Sequence, residues 1–436
     1  MYCGSCMHDN ALARALHEQG VDVHLIPTYT PIRTDEDDVS ENRVFFGGIN
    51  VYLQQKLPLF RFLPPFVDRF LNNPALIRWL TSGNIDVDIS FLGAMTVSML
   101  KGTAGFQRKE VRRLCDWLGH SVQPHLVNFT NILIGGCIPE LRKRLNVPIV
   151  VTLQGDDIFL ESLPEPWRTR AMQEIYRLVG EVDAFLVHSR FYAQFMTDYF
   201  RLPPERVHVV PLGINTDDLS HARELQQLVE RPPTIGYLAR LAPEKGLHLL
   251  VDAFIQLRTR RDDVRLLVAG WLGEQQRTYA QEAFDRLRAA GFETDFEYRG
   301  CVDREGKLQF FRDIDLFSVP TTYQEPKGLF VLESLSAGVP VVQPEHGAFP
   351  EMLRELGGGR LFVPNDARAL AATFDELLQN RGQLAGLGAA GKEAVVKQRC
   401  ARIMAQQTTD VFEKVRGLRG SPGGGALDPQ PTRQHS

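Results

Sequence analysis

The sequence predicts an α/β protein of two doubly wound domains facing a cleft, and three observations predict it. Short apolar runs alternate with amphipathic helical stretches, the pattern of open parallel sheets. That rhythm halts in a polar segment and restarts after Pro211-Leu212-Gly213-Ile214-Asn215. The chain's 436 residues also exceed what one ordinary core holds.

In the first half, Asn10 to Gln19 reads as a helix stopped by Gly20, with a strand following in VDVHLIP from Val21. DVDISFL, HLVNFT, VPIVVTL, AFLVHS and VHVVPLG are further strands, and Glu165 to Leu178 carries apolar residues at helical spacing. In the second half, PTIGYLA, VRLLVAG, FEYRG, DLFSVP, VPVVQP and GRLFVP are strands separated by helices. The boundary is placed near 213–232, around HARELQQLVE. The expected units are a first domain over 1–215, a second over 216–395, a crossover helix over 396–418 and a disordered tail over 419–436. The tail is rich in glycine, proline and polar residues, so it lacks the apolar area to offset ordering entropy. In such folds a glycine-rich loop follows the first strand, yet Tyr2-Cys3-Gly4-Ser5 opens the chain. A central strand of roughly ten residues is therefore expected upstream, because its absence leaves neighbouring ladders unpaired.

Hydrophobic residues make up 44% and charged residues 23%, with a formal net charge of -4. These values suit a soluble globular enzyme and supply no basic field to recruit nucleic acid. No apolar run reaches the roughly 20 residues of a membrane span, and no signal pattern opens the chain, so the expected compartment is the cytoplasm. Six cysteines make no secreted disulfide framework. Cys3-Gly-Ser-Cys6 has redox spacing but lacks the preceding strand and the second metal-ligand pair that redox or zinc chemistry requires.

The stretch Glu325 to Val342 carries the sharpest chemistry. A strand ends in DLFSVP, a polar loop follows, and Leu329, Phe330, Leu332 and Leu335 set a helical period closed by Gly338 and Pro340. The junction at Gly328, Leu329 and Phe330 presents free backbone N–H groups at a helix start, which suits a diphosphate. Glu325 and Glu333 stand eight residues apart, about 12 Å along a continuous helix. A retaining hydrolase pair needs about 5 Å. Two acceptors on either side of a phosphate turn suit a nucleotide sugar, with ordinary surface carboxylates as the plain alternative. Upstream, in PTIGYLARLAPEKGLHLLVDAF, Arg240 and Lys245 flank another helix start. The dipole there disfavours cations, so an anion would explain them; surface charge is again the plain alternative.

Together, GYLARLAPEKGLHLLVDAF, DLFSVPTTYQEPKGLFVLESLSAGVPVV with its EPxGLxxxE spacing, and PLGIN resemble the family-4 retaining glycosyltransferases of the GT-B fold. The similarity covers roughly residues 1–415 and is strongest over 207–365. The resemblance implies two Rossmann-like domains and a nucleotide-sugar donor as co-substrate. It implies transfer of a hexosyl group, with retention, to a carbohydrate, lipid-linked or small-molecule acceptor. By it, Glu325 would bind donor sugar hydroxyls and Glu333 the ribose. Arg240 and Lys245 would bind the diphosphate, and Gly328, Leu329 and Phe330 would supply backbone donors. Gly4 resembles the N-terminal glycine loop near the donor phosphate, and Cys301 and Val302 border the base. Many members carry a histidine where this chain has Gln154, and an amide cannot exchange protons as imidazole does. Gln154 or Asp156 capping the next helix is the alternative at that point.

A sugar-nucleotide epimerase of the same fold, and a glycosyltransferase-like binding or scaffold protein, stay open beside the transferase. No other cofactor and no metal are expected: Asp86-Val-Asp88 has metal-anchor letters but leads into a predicted strand. Gly386 to Gly391 spells a dinucleotide fingerprint but follows a helical stretch, where packing explains it. Aromatic and cationic interleaving over 52–80, with Phe60, Phe62, Phe66, Phe70, Arg61 and Arg69, predicts a flap over the acceptor cleft. Peripheral contact at the inner membrane face is the alternative.

Overall fold

The computed structural model describes residues 4–61, 89–222 and 231–419. Cys3, most of the aromatic segment, Asp86-Val-Asp88, most of the linker and the tail from 420 fall outside these.

Among the described residues, ten strands form two parallel sheets. The first has four in sequence order: β1 (Val127–Phe129), β2 (Ile149–Thr152), β3 (Ala184–Val187) and β4 (Val207–Val209). The second has six: β5 (Thr234–Leu238), β6 (Arg265–Ala269), β7 (Phe296–Tyr298), β8 (Leu316–Phe317), β9 (Val341–Pro344) and β10 (Gly359–Phe362). Its order is β10-β9-β8-β5-β6-β7, so the direction of winding reverses between β8 and β5.

The central strands of each sheet are buried on both faces, which is why they read as unbroken apolar runs. In the first sheet Ile149, Val151, Phe185 and Val187 face a core completed by the helices Ile138–Arg144, Trp167–Val179 and Arg190–Phe200. The alternate residues Val150, Ala184 and Leu186 face Leu12 and Leu16 of the helix Gly4–Glu18 and Met404, Ala405 and Val415 of the last helix, Ala401–Arg419. The last helix thus lies on the first sheet, not the second. The second sheet has its own core, which includes Phe254, Phe310, Phe317, Val341 and Phe374.

The structure corrects several expectations. Val21 to Pro27 joins no ladder among the described residues; the nearest pairing is the single bridge Thr28–Phe45. An apolar alternation needs a neighbour before it becomes a strand, and none is described beside it. ISFL, read as a strand end, opens the helix Ile89–Leu100. The apolar run continues for twelve residues, too long for the strand that its first letters suggest. The first helix begins at Gly4 rather than Asn10. The helix expected over 396–418 runs over Ala401–Arg419 and is separated from Arg381–Gln398, which packs in the second core, where Ile214 N–H donates to Arg399 O at 2.9 Å and Ala401 N–H donates to Ile214 O at 2.7 Å. Gly386 to Gly391 lies inside Arg381–Gln398. A Cβ on Gly388 would stand 2.2 Å from Gly338 O, so the glycines serve close packing. No helix among the described residues is long and apolar enough to cross a membrane.

Candidate active site

A doubly wound sheet opens its ligand crevice beyond the carboxyl ends of the strands where the winding reverses. Both loops leaving β5 and β8 carry predicted site residues. After β5 the chain passes Arg240 and the short turn Pro243–Lys245, and Gly246 then opens the helix Leu247–Arg258 with φ at +73°. A Cβ there would stand 1.8 Å from Pro320 O, so only glycine lets the Lys245 loop lie against the end of the neighbouring strand. Gly246→Ala is expected to cost about 1–3 kcal/mol from backbone strain alone, with the clash added. A lowered melting temperature together with weaker stabilisation by nucleotide sugars would show it.

After β8 the loop delivers Tyr323, Glu325 and Lys327 to the start of the helix Leu329–Ser336, with Gly328 as its left-handed cap at φ +69°. Glu325 is buried. Its Oε2 accepts from Lys245 Nζ at 2.9 Å and from the Tyr323 hydroxyl, which itself accepts from Lys245 Nζ at 2.5 Å. Burial alone would raise this carboxyl, but the Lys245 ammonium, the Tyr323 hydroxyl and Lys327 hold it down at about 2. Glu325 is therefore a fixed anion with its lone pairs oriented, suited to accepting from sugar hydroxyls. Phe330 packs between Phe317 and Phe349, and Lys245 Nζ lies 5.4 Å from the centre of its ring.

Glu333, one helical turn beyond Leu329, is also buried, and Lys307 Nζ is 2.7 Å from its Oε1. Lys307 simultaneously pairs with Asp35 of the first domain at 2.6 Å. Burial works against the charge on Lys307, yet Glu333 and Asp35 together raise its pKa above the ordinary value. Arg304, one turn earlier, pairs with Asp218 at 2.5 Å and approaches Asp35 and Glu36 at 3.6 Å.

From the first domain, Gln154 is held on three sides. Its Nε2 donates to Asp9 Oδ1 at 2.9 Å and Thr130 O at 3.3 Å, and its Oε1 accepts from Lys327 Nζ at 3.2 Å. It caps no helix. Asp156 instead accepts from Ile132 N at 2.7 Å and Gln154 N at 2.9 Å, and burial pushes its carboxyl up to about 6. Lys327 Nζ also donates to Ser5 Oγ at 3.0 Å, beside Gly4, whose Cβ position lies 4.0 Å from Leu329 Cδ2. The structure thus brings Gly4, Gln154, Lys245, Glu325, Gly328, Leu329, Phe330 and Glu333 to one interdomain region. Arg240 is turned to Glu244 and exposed, although its charge reaches Tyr323. Cys301, exposed, and Val302 sit two strands away on the loop after β7. A cavity of about 700 Å³ between the helix Arg277–Ala289 and β7 lies apart from the paired glutamates.

Sequence reasoning missed Lys307, Asp35 and Tyr323, and it placed Lys327 at the helix start only for its backbone, not for the side chain that reaches Gln154. For Lys307 a signal existed: it shares the buried phase of its helix with Phe310 and Phe311, an odd place for a lysine unless a carboxylate waits there.

Comparison with known proteins bears on the family and the fold. Residues 221–394 match the family described as glycosyl transferases group 1, and residues 100–218 match glycosyltransferase family 4. The chain is 33% identical over 207 residues to a phosphatidyl-myo-inositol mannosyltransferase of Mycobacterium leprae, covering 47% of this chain and 53% of that protein. It is 25% identical over 304 residues to a D-inositol 3-phosphate glycosyltransferase of Segniliparus rotundus, covering 64% of each. The matched part spans about half the length of the mannosyltransferase relative. Among solved structures, sucrose-phosphate synthase from Thermosynechococcus elongatus superposes with a TM-score of 0.67 at 18% identity, covering 93% of this chain and 92% of that one. Anabaena HepE in complex with UDP gives 0.61 at 16%, covering 90% and 100%. At such identities these two show the fold.

Proposed function

Since the chain belongs to the family-4 glycosyltransferases of the GT-B fold, we propose that it moves a hexosyl group from a nucleotide diphosphate sugar to a hydroxylated acceptor, with retention. One observation carries the reading: two buried glutamates eight residues apart, each fixed by its own lysine, flank a glycine-capped helix start where the sheet reverses. In this reading Glu325 accepts from the sugar hydroxyls and Glu333 from the ribose. The N–H groups of Leu329 and Phe330 meet the diphosphate, with Lys245 and Arg240 beside it. The Gln154 amide is no base, so the departing phosphate takes the acceptor proton, and positioning and charge stabilisation lower the barrier. No step calls for a metal. Two relatives are named for inositol-bearing acceptors, which makes an inositol ring the first acceptor to try. An acceptor of the lipid-linked kind fits a cytoplasmic enzyme that touches the membrane face.

A panel of nucleotide sugars screened for thermal stabilisation tests the donor half. A ligand at 100 times its Kd adds roughly 2.7 kcal/mol, a readily measured shift. The bound donor is then incubated with myo-inositol, and the product's anomeric configuration is read by NMR. No stabilisation by any member of the panel would sink the reading. Free nucleotide released without an acceptor would point to the epimerase instead.

A further inference from the structure

We propose that Lys327 is a positioning residue: its ammonium seats the second domain's donor loop in a socket of first-domain oxygens and so sets the distance over which the sugar is passed. The inference rests on the preceding reading, in which the second domain holds the donor and the first the acceptor. Reactants brought from separate domains react only as fast as they are aligned, and a misplacement of about 1 Å can cost 10²-fold. A contact must therefore fix the loop that carries Glu325 against the first domain.

Three first-domain segments converge on two consecutive residues of that loop. Ser189 Oγ, after β3, donates to Pro326 O at 3.0 Å. Gln154 Oε1, after β2, and Ser5 Oγ, at the start of the helix Gly4–Glu18, accept from Lys327 Nζ at 3.2 and 3.0 Å. The socket is fixed by its own domain. Gln154 Nε2 faces Asp9 Oδ1 and Thr130 O, a carboxylate and a carbonyl that only accept, so the amide cannot turn over and Oε1 must face Lys327. The Gln154 backbone N–H is tied to Asp156, which also holds Ile132 N. Ser189 is equally constrained, because its hydroxyl caps the helix Arg190–Phe200 by accepting from Tyr192 N at 3.1 Å. The loop is pinned on its own side as well. Ala348 N donates to Glu325 O at 2.9 Å, and Thr322 N donates to Glu244 O at 3.0 Å. A Cβ on Gly347 would stand 2.6 Å from Glu325 O, so the chain there packs directly on the loop. A loop rigid in one domain and seated in the other transmits any parting of the domains to Glu325, two residues from Lys327. The pairs Arg190–Glu355 and Lys307–Asp35 also join the domains, but they attach the helices Phe349–Leu356 and Arg304–Asp313, not this loop.

The test is a double-mutant cycle on the full chain, with Lys327→Met, Gln154→Met and the two together. GDP-mannose and UDP-glucose serve as donors and myo-inositol as acceptor. Each single variant is expected to lower kcat by about 10–100-fold, while donor affinity by calorimetry changes by less than about threefold. The double variant should fall no further than the worse single one, since both remove the same contact. A larger share of turnover should go to hydrolysis of the donor, because water needs no alignment across the cleft. Amide hydrogen exchange gives a readout that needs no acceptor. Gln154→Met, a change in the first domain, is expected to speed exchange over 325–330 of the second roughly tenfold, the effect of losing one charge-assisted hydrogen bond. Additive losses in kcat, or exchange over 325–330 that Gln154→Met leaves unchanged, overturn the proposal while leaving the donor site intact; exchange decides alone if myo-inositol takes no sugar. If Lys327→Met does not fold, Lys327→Gln takes its place in the cycle. Wild type that binds neither nucleotide sugar brings down the transferase reading together with this one.

Discussion

Replacing Glu325 with glutamine is expected to lower turnover by about 10²–10³-fold, the effect of losing one oriented charge partner in a water-poor site. Affinity for the nucleotide sugar should change by much less, because in the proposed reading the diphosphate meets Gly328 to Phe330 and Lys245 rather than Glu325. Steady-state kinetics and calorimetry on the same preparation separate the two. Unchanged transfer would remove Glu325 from the site. The same variant carries a pH signature. The carboxyl sits at about 2 in the folded protein against an ordinary 4.5. A lowered carboxyl stabilises above its unfolded value and loses that contribution as pH falls through the folded one. The difference in stability between wild type and Glu325→Gln should therefore be constant above about pH 5 and shrink toward pH 2, a change worth about 3 kcal/mol.

The second large effect is expected at Lys307. Lys307→Met leaves Glu333 and Asp35 buried without their shared cation, and breaking a buried pair from one side costs about 3–5 kcal/mol. For domains of this size that is a fall of roughly 6–20 °C in melting temperature. Adding Asp35→Asn should return much of it, because one of the stranded charges is then neutral. If Lys307→Met melts within a degree or two of wild type, the pair carries no such weight. The salt bridge joins the two domains, so the single variant should also loosen them, and small-angle scattering can follow that.

What the sequence disclosed depended on how local the cause was. The strands β5 to β10 were legible because parallel strands buried on both faces are apolar runs punctuated by glycine and proline, and nothing distant is needed to make them so. Val21 to Pro27 carried the same letters but has no described neighbour, and Ile89–Leu100 began with strand letters and continued as a helix. The site divides in the same way. Glu325, Gly328, Lys245 and Glu333 announced themselves through spacing and helix-start chemistry, which act over a few residues. The ring of contacts that fixes them did not. Lys327 reaches Gln154 across 173 positions, and Lys307 reaches a loop of the other domain. Side-chain pairing at such range leaves no periodicity. Gln154 was singled out for what it lacks as a base; its role in the structure is as a cross-link between Asp9 and Lys327.

The placement of the last helix has a consequence for the order in which the protein can be made. The face of the first sheet formed by Val150, Ala184 and Leu186 is covered partly by Met404, Ala405 and Val415. Those residues leave the ribosome roughly 190 residues after β4, on the order of ten to forty seconds later at ordinary elongation rates. During that interval the four described strands of the sheet are made but bare on part of one side, while the second domain can close around a core drawn from its own sequence. The half synthesised first is thus the half that finishes folding last.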